Sequence, residues 1–158
     1  MSRFLGVDPG LEGALALWDT ATDTLIVQDM PIVTYQMGRS RRRELNECVL
    51  AGFVREMRPD YAWVEKVHSM PKQGVASSFN FGVGFGVVRG VLGALDVRVA
   101  FVTSQEWKRF FRLGADKQQS RLAAARLFPD HSKLFARQRD DGRAEASLLA
   151  RFGADAAL

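Results

Sequence analysis

Four carboxylates stand where their surroundings give them little structural work: Asp8 in FLGVDPG, Glu65 in YAWVEKV, and Asp141 with Glu145 in DDGRAEASLLA. Asp8 follows a run of residues suited to a core and precedes a Pro-Gly reversal, so it falls at the end of a strand. Glu65 lies inside an otherwise apolar strand, where neither a turn nor a cap explains a charge. Asp141 and Glu145 are four apart where a helix begins and share one face, whereas Asp140 points elsewhere. If the strands of Asp8 and Glu65 are parallel neighbours about 4.8 Å apart, both acids leave the same sheet edge. Like charges that close repel by about 4 kcal/mol at an effective dielectric of 20, so either one is protonated or a divalent cation sits between them. With two more acids and no thiol or imidazole cluster, the set is oxygen-only and suits Mg²⁺ or Mn²⁺. Two such ions serve phosphodiester hydrolysis, one activating water and the other stabilising the leaving oxygen. Each acid also has an ordinary reading: Asp8 as a turn residue, Asp141 as a helix cap, Glu145 as a solvated first-turn acid.

Positioning these groups takes a sheet with helices around it. FLGVDPG (4–10), GALALWD (13–19) and TLIVQDMP (24–31) read as three strands of an antiparallel meander. RELNECVLAGFVREM (43–57) places Leu45, Cys48, Val49, Phe53 and Met57 at helical spacing, with Pro59 as a stop. YAWVEKV (61–67) is a β-rich run reached through that helix, so it is expected to lie parallel to an earlier strand. A helix from about Ser77 to Leu95, a fifth strand VRVAFVT (97–103) and helices over 117–128 and 144–152 complete the pattern. The class is α/β, a five-stranded mixed sheet flanked by helices, in one domain over residues 1–158.

Composition sets the context. The 158 residues are 47% hydrophobic with 11 Phe and 3 Trp, which suits a globular core. The single cysteine, Cys48, has no partner for an internal disulfide, and His68 and His131 stand far apart, so a reducing cytoplasm is the expected location. No apolar run approaches the roughly 18 residues that span a bilayer, and MSRFLGV lacks the core of a signal peptide, which predicts a protein without a membrane partner. Lys and Arg number 22 against 18 Asp and Glu, which favours a polyanionic partner. GRSRRREL clusters Arg39, Arg41, Arg42 and Arg43 as a phosphate clamp or a solvated loop. Lys72, Lys133, Arg137, Arg139 and Arg143 extend the basic character around the acids. In SSFNFGVGFGVVRGVLGAL, Gly82, Gly86 and Gly90 form a smooth helix stripe, for packing on the chain's own sheet or at a two-fold interface. Phe79, Phe81 and Phe85 are expected in the core or that interface.

GVDPG, the glutamate of VEKV, GVVRGVL and the closing DDGRAEASLLA, in this order, resemble the RuvC-type Holliday junction resolvases of the RNase H-like superfamily, most closely the phage and organellar branches. The resemblance runs from Phe4 to Phe152. It implies an RNase H-like fold and a homodimer that binds a four-way DNA junction. It further implies two symmetric nicks, made with two Mg²⁺ or Mn²⁺ ions per active site. It carries Asp8, Glu65, Asp141 and Glu145 over as metal-binding acids. Bacterial members space the last two by three residues where this chain has four, so Asp140 competes with Asp141. Lys108 and Lys117 match the family's two active-site lysines, either of which also reads as a surface residue. Lys108, Arg89 and Lys72 join the arginine cluster as DNA contacts. The family's junction wedge falls near His68 or Met70, neither of which is aromatic in the family's sense. The rival readings are a nuclease of the same fold acting on other branched DNA or on RNA/DNA hybrids, a non-catalytic junction binder, and an actin-like ATPase, for which the chain is too short.

Overall fold

Strand β1 (Arg3–Asp8) lies at the centre of the molecule because both of its faces are covered. In the computed structural model, which describes residues 2–67 and 74–156, it pairs antiparallel with β2 (Ala14–Asp19), which pairs antiparallel with β3 (Thr24–Asp29). On its other side β1 runs parallel to β6 (Tyr61–Glu65), and β6 runs parallel to β7 (Arg98–Val102). The sheet order is β3-β2-β1-β6-β7, so the expected mixed five-stranded sheet is present.

Alternation along the strands separates two cores. Leu5, Val7, Leu15, Leu17, Ala62 and Val64 point to one face, where helices α1 (Glu47–Met57) and α2 (Val75–Ala94) contribute Leu50, Val54, Val88 and Leu92. Ala14, Ala16 and Val102 point to the other face, against Trp107 of α3 (Ser104–Phe110), Ala124 of α4 (Lys117–Leu127) and Ala144, Ala146, Leu148 and Leu149 of α5 (Asp141–Ala156). Short 3₁₀ turns at Pro129–Phe135 and Gln138–Asp140 lead into α5.

Helix α5 lies almost on the backbone of β1. A Cβ at Gly6 would run into Ala146 O and Ala150 N, and one at Gly142 would run into Glu12 O. Small residues on both partners let the helix approach, and that approach brings the first turn of α5 over the end of β1.

Four parts of the fold depart from expectation. Residues 32–45 form a separate ribbon, β4 (Ile32–Met37) paired antiparallel with β5 (Ser40–Leu45), so Arg41, Arg42 and Arg43 are strand residues and α1 starts only at Glu47. The physical reasons are local. Gly38 supplies φ +60° at the tight turn, as hairpin turns of the primed types require, and the Asn46 side chain caps the helix by accepting from Val49 N. Helix α3 was not expected as an element; a capping box between Thr103 and Glu106 starts it. The last helix extends to Asp141–Ala156, beyond the 144–152 that apolar periodicity marks. Finally, α2 reaches the length and mean hydropathy (1.3) of a bilayer-crossing helix, against the expectation that no apolar run comes near. Its inner face is apolar because Val88 and Leu92 enter the core, and its outer face exposes Val75, Phe79 and Val83.

Candidate active site

The ladder between β1 and β6 pairs Gly6 with Trp63 and Val7 with Val64, so Asp8 and Glu65 follow side by side where the two parallel strands end. Alternation turns both toward the α5 face, since Leu5, Val7, Ala62 and Val64 take the opposite one. Glu145 descends from α5 one turn beyond Asp141 and is only 7% exposed. Asp8, Glu65, Lys108, Lys117, Asp141 and Glu145 thus line one open cleft of about 590 Å³. Six charged side chains meet there because the ends of β1 and β6, the starts of α4 and α5, and the last turn of α3 share one rim of the sheet.

Each group is held. The N–H of Gly10 donates to Asp8 Oδ1 at 3.3 Å, which folds the Pro-Gly turn back over the carboxylate. Trp107 Nε1 donates to Glu65 Oε2 at 3.2 Å from a fully buried indole. Lys108 Nζ stands 3.8 Å from Glu145 Oε1. Arg121, one turn along α4 from Lys117, pairs with Asp141 Oδ1. Lys117 itself sits at the start of α4, whose cap is Asp116 accepting from Gln118 N at 2.9 Å.

The electrostatics show an excess of negative charge. Burial pushes the Asp8 carboxyl up, opposed by the Gly10 N–H and by the charges of Lys117 and Lys108. Burial, then repulsion from Asp8 and Glu145, pushes Glu65 up to about 7. Burial and the Asp8 charge likewise raise Glu145, with Lys117 and Lys108 pulling the other way. Two lysines therefore do not neutralise the cleft. The donors are carboxylate oxygens without thiol or imidazole, the chemistry that Mg²⁺ and Mn²⁺ take. Among the described residues, however, no three acidic, His or Cys side chains are drawn to the spacing of a formed metal centre. The donor chemistry fits such an ion, and the side chains as placed leave its coordination open.

Asp140 and Asp141 part company. Asp140 is 1% exposed and faces away from the cleft, where Arg137 Nη2 donates to it at 2.8 Å and the Arg137 backbone N–H at 2.9 Å, with Arg143 at 3.7 Å. Burial opposes its charge, but the Arg137 hydrogen bonds outweigh that and hold the carboxyl below its ordinary range. Arg143 also grips Asp29 through two bonds of 2.6 Å. Arg137 and Arg143, expected as open basic surface, are thus tied into an ion-pair network, while Arg139 reaches the cleft lining.

The remaining candidates lie farther out. Arg39, Arg41, Arg42 and Arg43 are on the β4–β5 ribbon and do not line the cleft. Arg89 lies over the rings of Phe101 (5.3 Å) and Phe85 (5.9 Å), also outside it. Phe81 lines the cleft and Phe85 packs on the core, whereas Phe79 is exposed. His68, Met70 and Lys72 lie outside the described residues. Gly82, Gly86 and Gly90 have open space where a Cβ would go, so the stripe does not pack on the chain's own sheet. Sequence reasoning missed Trp107 and Arg121, whereas Arg139 was among the basic residues expected around the acids. Arg121 carried a readable signal, because it lies four residues from Lys117 and hence on the same helix face.

No family model matches the chain, and no curated protein matches it by sequence. Solved structures do match in fold. A Thermus thermophilus RuvC in complex with a Holliday junction substrate superposes with a TM-score of 0.67 over 99% of this chain and 95% of that one, at 16% identity. A second Thermus thermophilus RuvC structure gives 0.61 over 98% and 96%, also at 16% identity. The Fowlpox virus resolvase, in complex with its substrate Holliday junction DNA, gives 0.55 over 99% of both chains, again at 16% identity. The fold is the RNase H-like fold of these RuvC-type resolvases, as the sequence resemblance implied.

Proposed function

We propose that the chain is a structure-selective endodeoxyribonuclease that resolves four-way DNA junctions by paired, symmetric nicking. The observation that carries this reading is the convergence of Asp8, Glu65, Asp141 and Glu145 with Lys108 and Lys117 in one cleft. Similarity in fold to two resolvases described with junction DNA supports the choice of substrate.

The four acids would hold Mg²⁺ or Mn²⁺, which when bound supplies an activated water and a stabilised leaving oxygen. Asp8, whose charge acts on both Glu65 and Glu145, would be among the residues that hold the metal. The chain's own groups do the rest. Lys108 and Lys117 place positive charge beside a scissile phosphate, where charge grows in the transition state. Trp107 fixes the Glu65 carboxylate and Arg121 fixes Asp141, so the ligands are oriented before substrate arrives. Paired cutting needs two clefts. The outward face of α2, with Val75 at 88% and Phe79 at 67% exposure beside the open Gly82, Gly86 and Gly90 stripe, supports a second copy of the chain as its partner.

The test is cleavage of labelled four-way junctions, with three-way, flap, linear duplex and RNA/DNA hybrid controls, in Mg²⁺, Mn²⁺ and chelator. Paired nicks confined to the four-way substrate are expected. Equal cutting of flaps or hybrids would instead establish the broader nuclease of the same fold. Asp8→Asn should bind the junction and fail to cut it; an active variant would remove Asp8 from the mechanism.

A further inference from the structure

The β4–β5 ribbon is not absorbed by the cleft or by the α2 face. It makes no ladder with the main sheet, and every residue from Thr34 to Arg43 is exposed. Six-residue strands at about 3.3 Å per residue give it a reach of about 20 Å. A bare two-stranded hairpin is marginal in water, so its direction depends on what ties its root.

Its arginines divide into two pairs. Near the root, Arg42 Nη2 donates to Asn80 Oδ1 of α2 at 3.0 Å and Arg42 Nε pairs with Glu44 at 2.5 Å, while Arg43 Nη1 pairs with Glu12 at 2.6 Å. Glu12 belongs to the loop between β1 and β2 and lines the catalytic cleft, so the ribbon's base is pinned to the rim of that cleft. Toward the tip, Arg39 and Arg41 make no ion pair or side-chain hydrogen bond among the described residues. The register sets Gln36 opposite Arg41, Tyr35 opposite Arg42 and Met37 opposite Ser40, so Arg41 shares one face of the ribbon with Gln36, while Met37, 58% exposed, and Tyr35, 48% exposed, lie on the other and Arg39 stands in the turn.

Shape and chemistry select one target. Two strands about 4.8 Å apart fit a major groove about 12 Å wide and not a minor groove of about 6 Å. A phosphate rail needs positive charge alone, whereas a ribbon entering tip first carries Arg39 in its turn, Arg41 on one face and the apolar Met37 and Tyr35 on the other, and a groove floor offers partners to both, the O6 and N7 acceptors of guanine and thymine methyl groups.

We infer that the ribbon enters the major groove of a duplex arm next to the branch point. Arg39 and Arg41 reach base edges there, and Arg42 and Arg43 set the angle at which the arm meets the cleft. This rests on the junction reading above and adds to it a groove contact that lets arm sequence influence where the enzyme cuts.

The experiment measures junction binding in chelator together with dimethyl sulfate protection of guanine N7 on each arm, for the natural protein, Arg39→Ala/Arg41→Ala and Arg42→Ala/Arg43→Ala. The natural protein should protect guanines within about one turn of the branch. The tip variant should lose that protection and bind about 10- to 100-fold more weakly. The root variant should keep both free guanidiniums but spread its protection and its cuts over more positions. A natural protein that binds and cuts junctions without N7 protection would overturn the groove contact while leaving the nuclease reading intact, as would a tip variant of unchanged affinity and protection. A root variant with unchanged protection and cut positions would overturn the anchoring role. A natural protein that neither binds nor cuts branched DNA would remove both readings.

Discussion

Glu65 is a side chain whose chemistry its surroundings alter strongly. Burial, reinforced by Asp8 and Glu145, lifts its carboxyl from 4.5 to about 7. Between those values the folded chain holds a proton that the unfolded chain releases, so stability falls as pH rises through that window. Asp8 and Glu145, also raised, act in the same direction. Asp29 and Asp140 are lowered, so their stabilisation is lost only as pH drops below about 3.8, outside the window. Melting temperature measured in chelator should therefore decline from pH 5 to pH 8. Glu65→Gln should flatten that decline, and Mg²⁺ should raise the melting temperature more at pH 8 than at pH 6. Trp107→Phe deletes the donor to Glu65 and keeps most of the buried ring. It should cost about 1 kcal/mol in a denaturant titration and move the acid limb of the cleavage profile to higher pH. Asp140→Ala, which strands Arg137, should cost about 2 kcal/mol without removing a cleft ligand.

At the scale of elements, glycines mark the contacts that matter. Gly6→Ala forces a methyl group into the backbone of α5 at Ala146 and Ala150, and backbone cannot rotate aside. A loss of about 3 kcal/mol or more is expected, with cleavage falling further because α5 carries Asp141 and Glu145. The glycines of α2 behave in the opposite way. Among the described residues, nothing beyond the helix's own backbone stands within 4 Å of a Cβ at Gly82, Gly86 or Gly90, so three alanines there should stabilise the isolated fold through helix propensity of about 1 kcal/mol each. Sedimentation should show the same variant associating less if the stripe meets a second copy. These elements also show how far the sequence could be read. The meander, the parallel β1–β6 pair and the site's address at their ends follow from alternation and from a helix between the strands. The ribbon was not legible, since the charged run SRRREL carries no apolar alternation and its exposed strands bury too little to leave a pattern. The choice between Asp140 and Asp141 could not be read from spacing, because it turns on an ion-pair network that joins Asp29, Arg137 and Arg143 across the fold.

The whole molecule presents one acidic cleft, one apolar helix face and one basic ribbon, on a chain of net charge +4. Junction affinity should fall steeply with added salt, as expected when arginines and lysines displace counterions from phosphates. Phe79→Glu on the exposed α2 face should give a monomer by sedimentation, and single nicks should replace paired ones on a circular cruciform substrate. The acids of the cleft come from both ends of the polypeptide, Asp8 from the first strand and Glu145 from the last helix, and α5 seats directly on β1. While a ribosome is still extending the chain, β1 and β6 supply Asp8 and Glu65 well before α5 supplies Asp141 and Glu145. On the nuclease reading proposed above, a chain in which α5 has not yet docked on β1 holds two of the four acids and should not cut DNA.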